Sequence, residues 1–289
     1  MSSSQALSDI FSFSGATVVI TGGGGDLPGA LAEGLAPLGL QLALLDLSLE
    51  KAQARAESIR KAGGVAKAFF CDVLKPESVR EAYRLVAEEY GQVDYLVNGA
   101  GGNVSAGSAE VSFVEPFQNN GSAKESGKSF FDLDAADLRF TVDLNLLGTM
   151  IPSQIFAADM AQQRRGSIVN FASISAITPL TKVGAYSAAK AAVANFTQWL
   201  SVHLARVGVR VNALAPGFFM TEQLKFLHID QETGDYTPRA RQVLAHTPAG
   251  GYGTPRDLVG ATVWLLSDAA RFVTGAVIVI DGGFSSYSI

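Results

Sequence analysis

The amino-acid sequence predicts an α/β fold, a doubly wound parallel sheet in three α/β/α layers. Three observations predict it: short apolar strands alternate with helical segments, a glycine-rich turn follows the first strand, and a carboxylate, Asp46, ends the second. The 289 residues are 48% hydrophobic, which suits a sizeable core. We therefore expect residues 1–289 to form a single domain.

The first strand is predicted at 16–20 and is followed by TGGGGDLPG and the helical segment ALAEGLAPLG. A glycine turn at a helix N-terminus lets backbone N–H groups approach a pyrophosphate, and Gly22 to Gly25 supply the required flexibility. Asp26 is expected to cap the helix, with Pro28 in its first turn. This unit predicts a dinucleotide site.

The second strand, predicted at 40–47, carries Asp46 twenty-odd residues after the glycine turn. A carboxylate at this place binds the diol of an adenosine ribose and repels a 2′-phosphate. No Lys or Arg lies in the glycine turn or directly after Asp46. The sequence therefore predicts NAD (NADH) and not NADP as the cofactor.

The alternation continues with helices at 50–62 and 76–90 and strands at 65–73 and 93–97. The third strand ends at Cys71-Asp72-Val73, and the fourth runs into Asn98-Gly99-Ala100-Gly101. Small residues at the end of a strand allow a flat ring to lie close to the backbone. In isolation, a simple tight turn explains them equally well.

The segment from 166 to 206 places three reactive side chains at useful spacings. A strand at 167–172 ends at Ser173, and a helix at 184–205 carries Tyr186 and Lys190 four residues apart on one face. An ammonium beside a phenol is expected to lower the tyrosine pKa, which suits a general acid or base. Ser173 could then hold the same substrate oxygen. By itself, however, Y-x-x-x-K is more often a surface pair.

Taken together, these motifs resemble those of the short-chain dehydrogenases/reductases over nearly the whole chain. The resemblance rests on Thr21-Gly22 with its glycine run, Asp72, Asn98-Gly99-Ala100-Gly101, Asn145, Ser173, Tyr186, Lys190, and Pro216-Gly217 with Thr221. It implies a Rossmann-type fold with a seven-stranded parallel sheet, a nicotinamide cofactor, and a homo-oligomer, either a tetramer or a dimer.

The resemblance also implies residue roles. Tyr186 would be the acid/base, Lys190 would bind the nicotinamide ribose, Ser173 the substrate oxygen, and Asn145 a proton-relay water. Asp72 and Asn98 would lie near the adenosine, and Thr221 near the nicotinamide amide. The full set of expected cofactor contacts is Gly22, Gly24, Gly25, Asp26, Leu27, Asp46, Asp72, Val73, Asn98, Ala100, Gly101, Tyr186, Lys190, Pro216, Gly217, Phe219 and Thr221.

One departure concerns the glycine turn. The family pattern TGxxxGxG has glycines where this chain has Asp26 and Pro28. A carboxylate near a pyrophosphate is unfavourable unless its charge is used in capping. This altered turn, together with APGFFMTEQ and the terminal DGGFSSY, makes the sequence resemble the D-mannonate oxidoreductase (fructuronate reductase) subgroup. That resemblance implies a sugar-acid substrate.

Two segments are expected to select the substrate. Residues 102–130 are too long for an ordinary connection and form either a disordered loop or a substrate-side flap. Residues 218–253 are expected to form an inserted helix pair over the active site. Asn103, Ser173 and Lys182 are the predicted substrate residues. Polar residues of the second segment could also bind substrate, although most such charges face solvent: Glu222, Gln223, Arg239 and Arg241.

The rest of the chain is assigned by pattern, with a helix at 135–164 carrying Asn145, a strand at 207–213, a helix at 255–266 and a final strand at 276–280.

Composition excludes several classes of function. A net charge of −5 without a basic stripe argues against a nucleic-acid partner. No run of 18 apolar residues and no secretion signal is present, so we expect no membrane partner and a cytoplasmic location. A lone cysteine, Cys71, forms no internal disulfide and is expected to be buried. His203, His228 and His246 show no metal-binding spacing, so no catalytic metal is expected.

These patterns predict an NAD(H)-dependent oxidoreductase that acts on a small-molecule substrate, a keto or hydroxy sugar acid. A reductase of 3-oxoacyl thioesters or other ketones is the alternative among enzymes. A cofactor-sensing protein that has lost catalysis is the alternative from another class.

Overall fold

The computed structural model describes residues 7–13, 15–114 and 127–288. Seven parallel strands form one sheet in the order β3-β2-β1-β4-β5-β6-β7. The strands are β1 (Thr17–Thr21), β2 (Gln41–Asp46), β3 (Val65–Phe70), β4 (Tyr95–Asn98), β5 (Gly166–Phe171), β6 (Val209–Pro216) and β7 (Val277–Ile280). The predicted seven-stranded parallel sheet is thereby confirmed. Its order reverses between β1 and β4, and ligands bind beyond the strand ends at such a switch point.

Helices cover both faces of this sheet. They are α1 (Leu7–Ile10), α2 (Asp26–Leu35), α3 (Leu49–Lys61), α4 (Pro76–Tyr90), α5 (Ala135–Val142), α6 (Gly148–Gln163), α7 (Gly184–Leu204), α8 (Glu222–His228), α9 (Pro238–Ala245) and α10 (Val259–Leu266). One core cluster joins the sheet to α2, α3 and α10, and the other joins it to α4, α6 and α7. All five residues of β1 are buried, as expected for a central strand covered on both faces.

The predicted helix at 135–164 is interrupted. A π-helical turn, Asp143–Leu147, separates α5 from α6. The fully buried Asn145 donates from Nδ2 to the Thr141 carbonyl at 2.9 Å, so its side chain satisfies a group that the wider turn releases. The pattern of apolar residues does not reveal the one extra residue that makes a π turn. Such turns are frequent at functional sites.

Several strand ends differ from their predicted positions. β3 stops at Phe70 and not at Val73, because the chain turns around Asp72, whose Oδ1 accepts from the Leu74 N–H at 3.1 Å. β4 lies at Tyr95–Asn98 and not at 93–97. β6 begins at Val209 and not at 207, since Gly208, in a left-handed conformation with φ of +76°, separates it from the preceding helix.

The predicted helix pair of residues 218–253 is present as α8 and α9. Thr221 caps α8 by accepting from the Leu224 N–H at 3.1 Å, and Thr237 caps α9 by accepting from the Ala240 N–H at 3.3 Å. Short polar caps of this kind fix where each helix begins.

For the other variable segment, 102–130, residues 115–126 lie outside the described residues, and with them much of the predicted flap. The described flanks are held together, because the Glu110 N–H donates to the Lys128 carbonyl at 2.7 Å. The Ala109 N–H donates to the Lys182 carbonyl at 2.7 Å. That bond ties the segment to the loop between Ser173 and Tyr186.

None of the described helices is long and apolar enough to cross a membrane. Cys71 is buried as predicted, and burial followed by the charges of Asp72 and Asp46 raises its pKa to about 12.

Candidate active site

Three side chains predicted to react converge where β5 ends and α7 begins. Ser173 follows β5 and starts a short 3₁₀ turn, and its Oγ accepts from the Ser175 N–H at 3.2 Å. Tyr186 and Lys190 lie one turn apart on α7, with the Lys190 Nζ 5.7 Å from the centroid of the tyrosine ring. The ammonium donates to the Phe171 carbonyl at 2.7 Å, so it is anchored to β5.

The expected electrostatic effect of the lysine on the tyrosine is not found. Burial raises the pKa of Tyr186, and a hydrogen bond with the Ser173 side chain acts in the opposite direction but is the smaller effect. Burial lowers the pKa of Lys190 to about 8. The prediction that Lys190 lowers the tyrosine pKa is therefore wrong for this arrangement, in which desolvation is the largest influence on both groups.

Asn145 connects this pair to the end of β4. Its Oδ1 accepts from the Gly102 N–H at 3.0 Å and its Nδ2 donates to the Gly102 carbonyl at 2.9 Å. A Cβ placed on Gly101 would lie 2.8 Å from Asn145 Oδ1 and 3.5 Å from Lys190 Nζ. The structure thus brings Asn145, Gly101 and Lys190 into one contact.

The glycine turn has the shape that a dinucleotide needs. Gly22 has φ of +70°, and a Cβ on it would lie 2.9 Å from Ala100 Cα, while one on Gly24 would lie 2.7 Å from Lys51 Cβ. In the described part of the chain, no side chain caps the start of α2. The N–H groups of Asp26 and Leu27 are therefore available to a pyrophosphate.

Asp46 lies beside this turn. Its Oδ2 accepts from the Gly24 N–H at 2.9 Å and its Oδ1 from the Ser48 N–H at 2.8 Å. Two backbone donors thus fix the carboxylate at the end of β2, where an adenosine ribose would bind.

Other expected cofactor residues also lie at strand ends on this edge. Asp72 and Val73 follow β3, with Asp72 paired to Lys75 at 3.2 Å. Pro216 ends β6, and Gly217 lies so close to β7 that a Cβ on it would be 2.6 Å from the Cβ of Asp281. The capping bond of Thr221 uses its hydroxyl as an acceptor, which leaves the O–H free to donate.

The side chains of two expected cofactor residues point elsewhere. Asn98 is 1% exposed, and its Nδ2 donates to Ser153 Oγ at 2.9 Å and to Asn170 Oδ1 at 2.8 Å. Phe219 is 5% exposed and its ring packs over Gly253. Both residues remain predicted cofactor contacts, and because each side chain is buried, such contacts would involve their backbones.

Asp26 does not cap α2 as predicted. Gly25 holds the capping position, and Asp26 is the first helical residue. Its Oδ2 accepts from the Glu222 N–H at 2.9 Å, across 196 positions of the chain. The carboxylate therefore links the start of α2 to the start of α8, where two helix N-termini favour its negative charge. No local pattern could reveal this partner.

A cavity of about 380 Å³ lies between the loop that carries Lys182 and helix α9. Two predicted substrate cations line it, Lys182 and Arg239, while Arg241 and Glu222 do not. Asn103 is also absent from its walls; its Oδ1 accepts from Ser108 Oγ at 3.0 Å. The sequence did not indicate the other wall residues as substrate contacts: Ser112, Leu180, Thr181, Phe218, Gln242, Val243, His246 and Phe284.

Among the described residues, no group of three or more His, Cys, Asp or Glu side chains is placed to bind a metal ion.

Known proteins show the same arrangement of sequence and fold. The family model described as short chain dehydrogenase matches residues 16–232. An uncharacterized oxidoreductase of Haemophilus influenzae is 43% identical over 272 residues, which cover 94% of this chain and 93% of that protein.

Two solved structures are also similar. A Haemophilus influenzae protein with the provisional name D-mannonate oxidoreductase, crystallised with bound NAD, has a TM-score of 0.89 and 42% identity, covering 96% of this chain and 97% of that one. A gluconate 5-dehydrogenase from Burkholderia cenocepacia, in complex with NADP and tartrate, has a TM-score of 0.80 and 29% identity, covering 97% of this chain and 99% of that one. With a seven-stranded sheet of this order and a family match over most of its length, the chain belongs to the short-chain dehydrogenases, oxidoreductases that use a nicotinamide cofactor.

Proposed function

We propose that the protein is an NAD(H)-dependent oxidoreductase that interconverts a keto sugar acid and the corresponding hydroxy acid, of the fructuronate and mannonate type. The observation that carries this proposal is the cavity beside the loop from Ser173 to Tyr186, which two cations line. A negatively charged substrate matches such a cavity. Neither Ser173 nor Tyr186 lines its walls, so the substrate would have to extend from the cavity along this loop to place its carbonyl at the proton donor.

The residues of the site divide the chemistry between them. The bound nicotinamide supplies or accepts the hydride at the substrate carbon. During reduction, Tyr186 donates its proton to the carbonyl oxygen, which becomes the hydroxyl of the product, while the Ser173 O–H holds the same oxygen. Burial keeps the tyrosine protonated at neutral pH, which suits a general acid. Lys190 would bind the nicotinamide ribose, and Asn145 would hold the water through which a proton returns to Tyr186.

The choice of NAD over NADP follows from Asp46. Its carboxylate is fixed by two N–H groups and would repel a 2′-phosphate. Arg55, whose guanidinium lies near Gly29, is paired with Glu33 at 2.8 Å, so its charge is already compensated. The similar protein crystallised with NAD is consistent with this choice, whereas the gluconate 5-dehydrogenase holds NADP.

The test is a substrate panel in which NADH and NADPH oxidation are each followed with fructuronate, tagaturonate, 5-ketogluconate and an acetoacetyl thioester. We expect turnover of an acidic keto sugar with NADH. Phe218, Leu180 and Phe284 also line the cavity and favour the alternative of a thioester or other ketone reductase. Turnover of the thioester alone would establish that alternative. Tight NADH binding without any turnover would favour the cofactor sensor.

A further inference from the structure

We propose that Lys182 and Arg239 form a two-sided clamp for the carboxylate of the substrate, and that α9 is the element that selects acidic substrates. The clamp rests on the proposed function, because it needs a reacting carbonyl and a carboxylate on the same small molecule. It adds a specific binding partner, Arg239, and a reason for the inserted helix pair.

The charges of Lys182 and Arg239 have no carboxylate partner among the described residues. In the described part of the chain, neither Lys182 nor Arg239 forms an ion pair, and no Asp or Glu lines the cavity between them. What distinguishes these two cations is that both line the same concave site. Two unpaired cations on opposite walls of one concave site raise the local concentration of anions.

The backbone of Lys182 has a conformation that residues other than glycine seldom adopt. Its φ is +74°, in the left-handed region, and its carbonyl accepts from the Ala109 N–H at 2.7 Å. Such a conformation persists only where the surroundings enforce it, and such residues cluster at ligand sites. Here the bond from Ala109 holds the Lys182 loop at the wall of the cavity.

The backbone of Arg239 is fixed at the start of α9. It is the second residue of α9, whose start is fixed by the Thr237 cap and by Pro238. Gln242 and His246 follow at positions i+3 and i+7 and line the same cavity, so one face of α9 forms the wall.

The remaining wall suits a small polyhydroxy acid. The ring of His246 lies edge-on to Phe284 at 4.8 Å and to Tyr287 at 5.2 Å between centroids, which fixes its orientation. The Gln242 amide and the imidazole offer hydrogen bonds to hydroxyl groups, and Phe218 offers an apolar surface to the carbon chain. A planar guanidinium is the cation best matched to a carboxylate, which it can bind through two parallel hydrogen bonds.

The experiment compares Arg239→Gln and Lys182→Gln with a matched control, Arg241→Gln. Arg241 lies on the same helix and is exposed, but it does not line the cavity. NADH-linked reduction of fructuronate and of fructose, its neutral counterpart, is measured for each protein. We expect each cavity variant to raise KM for fructuronate at least about tenfold with little change in kcat. Fructose reduction and the KM for NADH should not change, Arg239→Lys should restore part of the loss, and Arg241→Gln should match the parent.

A binding measurement separates the clamp from the reaction. Calorimetric titration of mannonate into the NADH-saturated protein requires no turnover, because the reduced cofactor cannot accept a hydride from the hydroxy acid. If mannonate binds the parent protein but not Arg239→Gln, the clamp stands even where no sugar acid is reduced and the proposed function fails. Unchanged fructuronate KM in both cavity variants, with the parent active, would overturn the clamp and leave the proposed function intact. Inhibition of fructuronate reduction by inorganic phosphate as strong as that by mannonate would show that the two cations bind any anion, and would overturn the assignment to a carboxylate.

Discussion

At the scale of single residues, the site holds a buried cation. Lys190 is 4% exposed, and burial lowers its pKa from 10.5 to about 8. Between these two pH values the unfolded chain binds a proton that the folded protein does not, so folding stability rises with pH in this window and is reduced below it. The protein therefore retains a destabilising charge at neutral pH, as active sites often do.

Replacing this lysine by methionine should show that cost. The free energy of unfolding of Lys190→Met relative to the parent should be highest near pH 7 and should decrease by about 3 kcal/mol as the pH rises to 10.5. The unpaired Phe171 carbonyl adds a cost of about 1–3 kcal/mol that does not depend on pH. Urea denaturation across this pH range measures the difference, and parallel pH curves for the two proteins would refute the assignment.

Tyr186→Phe should remove turnover and leave NADH binding nearly unchanged. The substitution deletes only the hydroxyl, so the loss of the proton donor should lower kcat about a hundredfold or more. Steady-state kinetics and a fluorescence titration with NADH provide the two readouts. Turnover that survives would assign proton donation to another group.

The proximity of Ser173, Tyr186 and Lys190 was predictable because their spacing is local: a strand end and a helical i,i+4 pair need no knowledge of the tertiary fold. The sequence failed where a partner lies far along the chain. Asn98 bonds with Ser153 and Asn170, and Asp26 bonds with Glu222, contacts that only the folded sheet creates. The prediction that the Tyr186 pKa is lowered was wrong for the same reason, since the burial of its side chain depends on residues from distant parts of the chain.

At the scale of elements, a hydrogen bond from Glu222 to Asp26 joins α8 to α2. The Asp26 carboxylate accepts from the first N–H of α8, directly after Thr221, which is the predicted contact of the nicotinamide amide. The bond thus ties the start of α8 to the start of α2, where we propose that the pyrophosphate binds. Asp26 departs from the glycine of the family pattern, and this link gives the departure a structural role.

Asp26→Ala should speed the release of NADH about fivefold, because losing one charge-assisted hydrogen bond frees the start of α8. Stopped-flow fluorescence measures the dissociation rate. Asp26→Asn keeps an acceptor and should remain near the parent value. Glu222→Gln is the matched control, since it breaks only the exposed ion pair with Lys225 and leaves the backbone bond intact. Slower release from Asp26→Ala would mean that repulsion of the pyrophosphate outweighs the link.

Element types were predictable to the extent that periodicity specifies them. Strands and helices alternate as expected, and the inserted pair is present. The π turn at Asp143–Leu147 was not predictable, because one extra residue in a helical turn changes the spacing of apolar residues too little to be recognised in the sequence.

At the scale of the whole molecule, α7 leaves an apolar stripe uncovered. Trp199 is 58% and Val202 is 77% exposed, and the rings of Phe196, Trp199 and His203 stack in sequence, with centroids 6.1 Å and 5.0 Å apart. Exposed apolar patches of this kind mark contacts between proteins. We expect a second copy of the chain to cover the stripe, in agreement with the oligomer that the family resemblance implies.

Val202→Asp should therefore reduce the mass measured by light scattering, because a carboxylate would have to be buried in the contact. Val65→Asp makes the same change at an exposed valine of the edge strand β3 and should leave the mass unchanged. A parent protein that is already monomeric, or an unchanged mass for Val202→Asp, would show that the stripe is not the contact.

The single cysteine has a practical consequence. Because Cys71 is 2% exposed and its pKa is raised to about 12, the thiol should resist alkylating reagents in the native protein. It lies directly after β3, and its N–H donates to the Asp46 carbonyl, the last of β2. The rate of its labelling therefore reports how often this edge of the sheet opens. If NAD binds through Asp46, it should slow the alkylation of Cys71, so the labelling rate would measure how much of the protein holds the cofactor.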